Sequence, residues 1–91
     1  MKFMIEWHIP TTSYKVAAER FLATHAPDPD GLETIGRWHA PGSARGWHAV
    51  EGDAAAIAEL VATWGDSVEL EITPVLEDAD AAAGLGKVYG K

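Results

Sequence analysis

Two neighbouring segments, Glu33-Thr34-Ile35-Gly36-Arg37-Trp38-His39 and Arg45-Gly46-Trp47-His48-Ala49-Val50-Glu51, are joined by the breaker-rich stretch Ala40-Pro41-Gly42-Ser43-Ala44. Strand-forming residues on either side of a Pro-Gly turn commit this part of the chain to a β-hairpin. The hairpin holds two of the four tryptophans and two of the four histidines. It therefore concentrates aromatic surface and titratable nitrogen where a small domain would build a pocket.

The remaining segments surround that hairpin in a definite order. From Lys2 to Ile9 the chain alternates, with Phe3, Ile5, Trp7 and Ile9 on one side and Lys2, Met4, Glu6 and His8 on the other, which predicts a half-buried strand. Pro10 ends it. Thr11-Thr12-Ser13 then offers N-caps to a helix whose apolar positions Tyr14, Ala17, Ala18, Phe21 and Leu22 recur at three and four, with His25 closing the stripe. Pro27 and Pro29 stop that helix. Asp53 is a suitable cap for a second helix, Ala54 to Trp64, whose face is Ile57, Leu60, Val61 and Trp64 and whose terminator is Gly65. Glu69 to Val75 alternates as a last strand.

Strand, helix, strand, strand, helix, strand is the α+β, ferredoxin-like arrangement. Right-handed crossovers give a four-stranded antiparallel sheet in the order 4-1-3-2, with both helices on one face and the other face bare. The domain is expected over residues 1–76, and residues 77–91 form an acidic, then alanine-rich tail that accommodates a short helix from Asp80 to Ala83. Leu85, Val88 and Tyr89 in that tail are expected to dock on a partner or over the mouth of the barrel that two sheets would form.

Ninety-one residues make one domain, which buries only roughly 60–65% of its unfolded surface, so association is a reasonable source of added stability. A net charge of −7, with the seven Lys and Arg scattered along the chain, excludes nucleic acid and anionic membrane as natural partners. The absence of cysteine removes disulfides, thiolate metal sites and a cysteine nucleophile. No apolar run is long enough to cross a bilayer, and Glu6 interrupts the N-terminal segment before it could serve as a signal peptide; the expected location is cytoplasmic.

Candidate chemistry lies along the strands. Matching Ile35 with Val50 on the helix side sends Gly36, Trp38, Trp47 and Ala49 to the bare face together with Met4, Glu6, His8, Glu71 and Thr73. That face is too apolar to stand in water and too polar for a dry core, so a second copy is expected to cover it and a two-fold homodimer through the sheets is predicted. Glu6 and His8, two apart on one strand, form a candidate acid/base pair, with a solvated or interface pair as the plainer alternative. Trp38 and Trp47 are candidates to stack a planar ligand, with Glu71 and Thr73 beside them, or simply to pack across strands. Arg37 is placed to meet an anionic ligand, or to pair with Glu33 or Glu51. His39 and His48 take the other parity and are candidate ligand contacts. No tight histidine spacing marks a metal site, and no phosphate loop or other cofactor motif is present.

The opening Met1-Lys2-Phe3-Met4-Ile5-Glu6-Trp7, the Gly36-Arg37-Trp38-His39 followed by Pro41-Gly42, the Val50-Glu51 ahead of an acidic helix cap, Trp64, and Thr73-Pro74-Val75-Leu76-Glu77-Asp78 resemble a bacterial family of unknown function (DUF3303-like). The resemblance spans nearly the whole chain. It implies the dimeric α+β barrel version of the ferredoxin-like fold and carries no established catalytic residues; His48 is read from this sequence alone. Two functions follow as expectations. One is a homodimeric binding or interaction module, with or without a small apolar or aromatic ligand between the sheets; the other is a cofactor-independent oxygenase, isomerase or dehydratase with His8 as its acid/base. A shared fold is weak warrant for either, because one fold hosts many chemistries.

Overall fold

A computed structural model describes residues 1–90. The strands are β1 (Lys2–His8), β2 (Leu32–His39), β3 (Arg45–Gly52) and β4 (Glu69–Val75), and the helices are α1 (Tyr14–Thr24), α2 (Ala54–Trp64) and α3 (Asp78–Tyr89). The sheet is antiparallel in the order β2-β3-β1-β4, which is the expected 4-1-3-2 read from the opposite edge. The fold is α+β and ferredoxin-like.

Local chemistry sets the helix ends. A 3-10 turn over Thr11–Ser13 leads into α1, and Ser13 spends its hydroxyl on the carbonyl of Ser67, 2.7 Å away, tying the start of α1 to the loop before β4. The end of α1 bends through His25 (φ 59°) and Ala26 (φ 45°), both left-handed. Asp53 caps α2 as its position predicts, accepting a 2.9 Å bond from the amide of Ala56.

Strand pairing places residues in rows across the sheet. On the helix side, Thr34–Val50–Phe3–Pro74, Arg37–His48–Ile5–Ile72 and His39–Gly46–Trp7–Leu70 lie in register; on the other side, Gly36–Ala49–Met4–Thr73 and Trp38–Trp47–Glu6–Glu71 do so. Phe3, Ile5, Leu32 and Val50 meet Ala56, Ile57 and Leu60 of α2 in the core, with Val61, Trp64, Leu70 and Ile72 packed against it. Ile5 and Val50, at 1% and 0% exposure, are its centre.

The expected pairing of Ile35 with Val50 is corrected. Thr34 faces Val50, and Ile35 is the extra residue of a bulge between Thr34 and Gly36, 56% exposed. The cause is polar: the Thr34 hydroxyl turns toward the helix side and bonds Asp28 and His48 there. One additional residue in the strand then restores the parity, so that Gly36 and Trp38 still reach the bare face.

Gly46 is required by its neighbour. It stands opposite Trp7, whose indole covers the space a side chain would need: a Cβ there would lie 2.1 Å from the ring and 2.6 Å from the carbonyl oxygen of Trp38.

After β4, the helix is longer than the four residues from Asp80 to Ala83. Asp78 and Asp80 in its first turn and Lys87 in its last complement the helix dipole and extend it to Tyr89. α3 buries none of its residues, and Leu85, Val88 and Tyr89 are 61%, 64% and 81% exposed. Lys2 pairs with Glu77 at its base, and this hydrogen-bonded pairing raises the ammonium's pKa and lowers the carboxyl's.

Candidate functional site between the first helix and the sheet

The candidate site is a cavity of about 390 Å³ between α1 and the helix side of the sheet. Ile5, Trp7 and Leu70 form its floor, and Ala17, Ala18 and Phe21 of α1 form its roof. Small side chains on α1 facing large ones on the sheet leave the gap. Two polar groups in the wall are already occupied. The Trp7 indole N–H donates to the carbonyl of Ser43 at 3.0 Å, and the Tyr14 hydroxyl donates to that of Gly42, so both help hold the hairpin turn over the cavity.

Arg37, His39, His48 and Ser43 add further polar lining. The His39 ring makes T-shaped contacts with Trp7 and Phe21, with centroids at 4.9 and 5.4 Å, and its Nδ1 lies 3.0 Å from the Ser43 hydroxyl. Arg37 does not pair with Glu33 or Glu51. Those two carboxylates face each other on the opposite side of the sheet, whereas Arg37 points to the helix side and donates to the carbonyls of His25 and Ala26, each at 3.2 Å. Its guanidinium also lies 5.5 Å from the centre of the Phe21 ring.

His48 is 5% exposed and anchors a polar chain that runs outward to the exposed Thr34. Thr34 donates its single hydroxyl proton to Asp28 at 2.6 Å and lies 2.7 Å from His48 Nε2. With that proton committed, the Thr34 oxygen accepts from Nε2–H, which fixes the neutral imidazole in the tautomer lacking a proton on Nδ1. Asp28 Oδ1 is buried without a hydrogen bond, 3.8 Å from Nε2. Burial pushes the His48 pKa below the ordinary histidine value, the Arg37 charge lowers it further, and Asp28 opposes both.

The other sequence candidates lie across the sheet. Trp38, Trp47, Glu6, Glu71 and Thr73 share the bare face, on a side of the sheet that α1 and α2 leave uncovered. Glu6 accepts from the Trp47 indole at 3.0 Å, while His8 sits 3.2 Å from Glu69; Glu6 and His8 are therefore bonded to separate partners. His8 is 61% exposed and borders a shallow depression shared with Glu6, Arg45, Glu69 and Glu71. Sequence parity brings Arg37, His39 and His48 to the helix side but gives no sign of Thr34 and Asp28. Asp28 enters from a loop, where periodicity carries no information.

Among the described residues, no group of three or more histidine and carboxylate side chains is disposed to hold a metal ion, and no helix is long and apolar enough to cross a membrane.

Comparison with known proteins places this geometry in a wider setting. The family model for "Domain of unknown function (DUF3303)" matches residues 1–89. No curated protein matches the chain. Among solved structures, Rv0793 from Mycobacterium tuberculosis aligns at a TM-score of 0.50 with 15% identity, covering 86% of this chain and 97% of its own. SCO4226 from Streptomyces coelicolor A3(2) aligns at 0.46 with 18% identity, covering 84% and 98%. MupZ from Pseudomonas fluorescens aligns at 0.42 with 16% identity, covering 94% and 76%. The likeness to Rv0793 is one of fold alone.

Proposed function

The chain belongs to the DUF3303 family, and we propose that it is a small-molecule-binding module, taking a compact, mainly apolar or aromatic ligand into the cavity under α1. One observation carries this reading: a cavity of about 390 Å³, within the range of small-ligand sites, is walled mainly by aromatic and aliphatic side chains, with Arg37, His39, Ser43 and His48 as polar groups in its lining. The expected ligand position moves accordingly, from between two sheets to the helix side of one. The bare face then serves assembly, as the surface of a homodimer. What supports assembly is the apolar and aromatic content of that face, with Trp38 57% exposed beside Trp47.

Trp7 and Trp64 line the cavity and report on it. Titration with naphthalene-sized ring compounds should change tryptophan fluorescence saturably, and Ala18→Phe, which fills the cavity from α1, should abolish the change. If no saturable binding occurs in the unaltered protein, the ligand reading is lost and an interaction module alone stands.

A second reading is an enzyme without a bound cofactor. The Asp28–Thr34–His48 chain favours it, because it holds a neutral imidazole in one tautomer at a cavity wall, as a general base requires. The candidate base thereby moves from the open His8 to the buried His48. His8→Ala and His48→Asn separate the two once a turnover is found, since the variant that loses turnover identifies the base. If both retain it, neither histidine is the base.

A further inference from the structure

We propose that the ligand of this cavity is a small apolar carboxylate, its single negative charge received by Arg37; this rests on the cavity being the ligand site. Arg37 is a charged group in the wall of a largely apolar cavity, and both of its hydrogen-bond acceptors, the carbonyls of His25 and Ala26, are neutral. Among the described residues no carboxylate pairs with it. This is notable in a chain with 14 acidic and seven basic residues. Glu33 and Glu51 meet each other on the far side of the sheet instead, and Asp28 accepts from Thr34, lies 3.8 Å from His48 Nε2 and is not part of the cavity wall.

A guanidinium has five N–H donors in a planar fork, and the two carbonyl bonds leave others free. A carboxylate fits that fork, and in apolar surroundings the pairing is stronger than it would be in water. Most other polar groups of the wall are already engaged: Trp7 and Tyr14 are spent on the hairpin turn, His48 gives its Nε2 proton to Thr34, and His39 Nδ1 and the Ser43 hydroxyl lie 3.0 Å from each other, which leaves Arg37 as the permanent charge. One cation calls for one negative charge. A dianionic phosphate would leave its second charge unpaired against an apolar wall, so a monoanion bearing an aliphatic or aromatic body is the class that fits.

The test compares 2-naphthoate with 2-naphthamide, which has nearly the same shape without the charge, by calorimetric titration of the unaltered protein, Arg37→Met and Arg37→Lys. The expected result is that 2-naphthoate binds at least about ten-fold more tightly than the amide. Arg37→Met should remove that preference while leaving amide binding in place, and Arg37→Lys should keep part of it. Amide binding also verifies that Arg37→Met has folded, since the residue braces the end of α1. Equal binding of acid and amide, or a preference for the acid that survives Arg37→Met, overturns the proposal while the cavity reading stands. Binding of neither compound overturns both.

Discussion

Arg37 and His48 stand directly opposite each other on β2 and β3, both on the helix side of the sheet. The permanent charge of one therefore opposes protonation of the other, adding to the effect of burial.

From this pairing follows a pH dependence of stability. Above the ordinary histidine pKa, about 6.5, His48 is neutral in both folded and unfolded chains, and its neutral form is fully accommodated. As pH falls below that value the unfolded chain takes up a proton that the folded protein resists, so stability is lost on acidification, by at most about 1.4 kcal/mol per pH unit from this group. Urea midpoints measured from pH 8 to pH 5.5 should decline, and His48→Asn should flatten the decline. An unaltered slope in that variant would assign the effect to other groups.

Gly46→Ala should destabilise the fold by roughly 1–3 kcal/mol, because the added methyl meets the Trp7 ring and a backbone carbonyl that cannot move aside without disturbing β2. Chemical denaturation measures this. A loss near zero would mean that Trp7 repacks at no cost.

The bare face should carry the dimer. Sedimentation at micromolar concentration is expected to show two copies, and Trp38→Glu should weaken their association by roughly 2–4 kcal/mol by placing an unpaired charge in the interface. A monomeric native protein would refute assembly through this face.

α3 should depend on that second copy. A 12-residue helix with Gly84 and Gly86 inside it and no buried side chain is marginal by itself in water, so its Leu85, Val88 and Tyr89 are expected to find cover on the partner. Trypsin should cut after Lys87 slowly in the dimer and quickly in Trp38→Glu. Fast cleavage that leaves the dimer intact would show that α3 does not dock.

Periodicity along the chain determined the strands and the first two helices, because alternation of Phe3, Ile5 and Trp7 or the spacing of Ile57, Leu60 and Trp64 is a local consequence of which side chains must leave water, and the handedness of crossovers then fixed the order of the sheet. It also assigned Trp38 and Trp47 to one face and His39 and His48 to the other, since parity needs only one correct register. Tertiary structure decided the rest. Ile35 is expelled into a bulge because Thr34 has polar partners that lie 6 and 14 residues away, and Arg37 bonds the end of α1 in preference to its acidic neighbours because of the face it occupies. The cavity belongs to neither α1 nor the sheet. It exists because Ala17 and Ala18 are too small to fill the space above Trp7 and Leu70, a mismatch of volumes that arises only when the two layers are brought together.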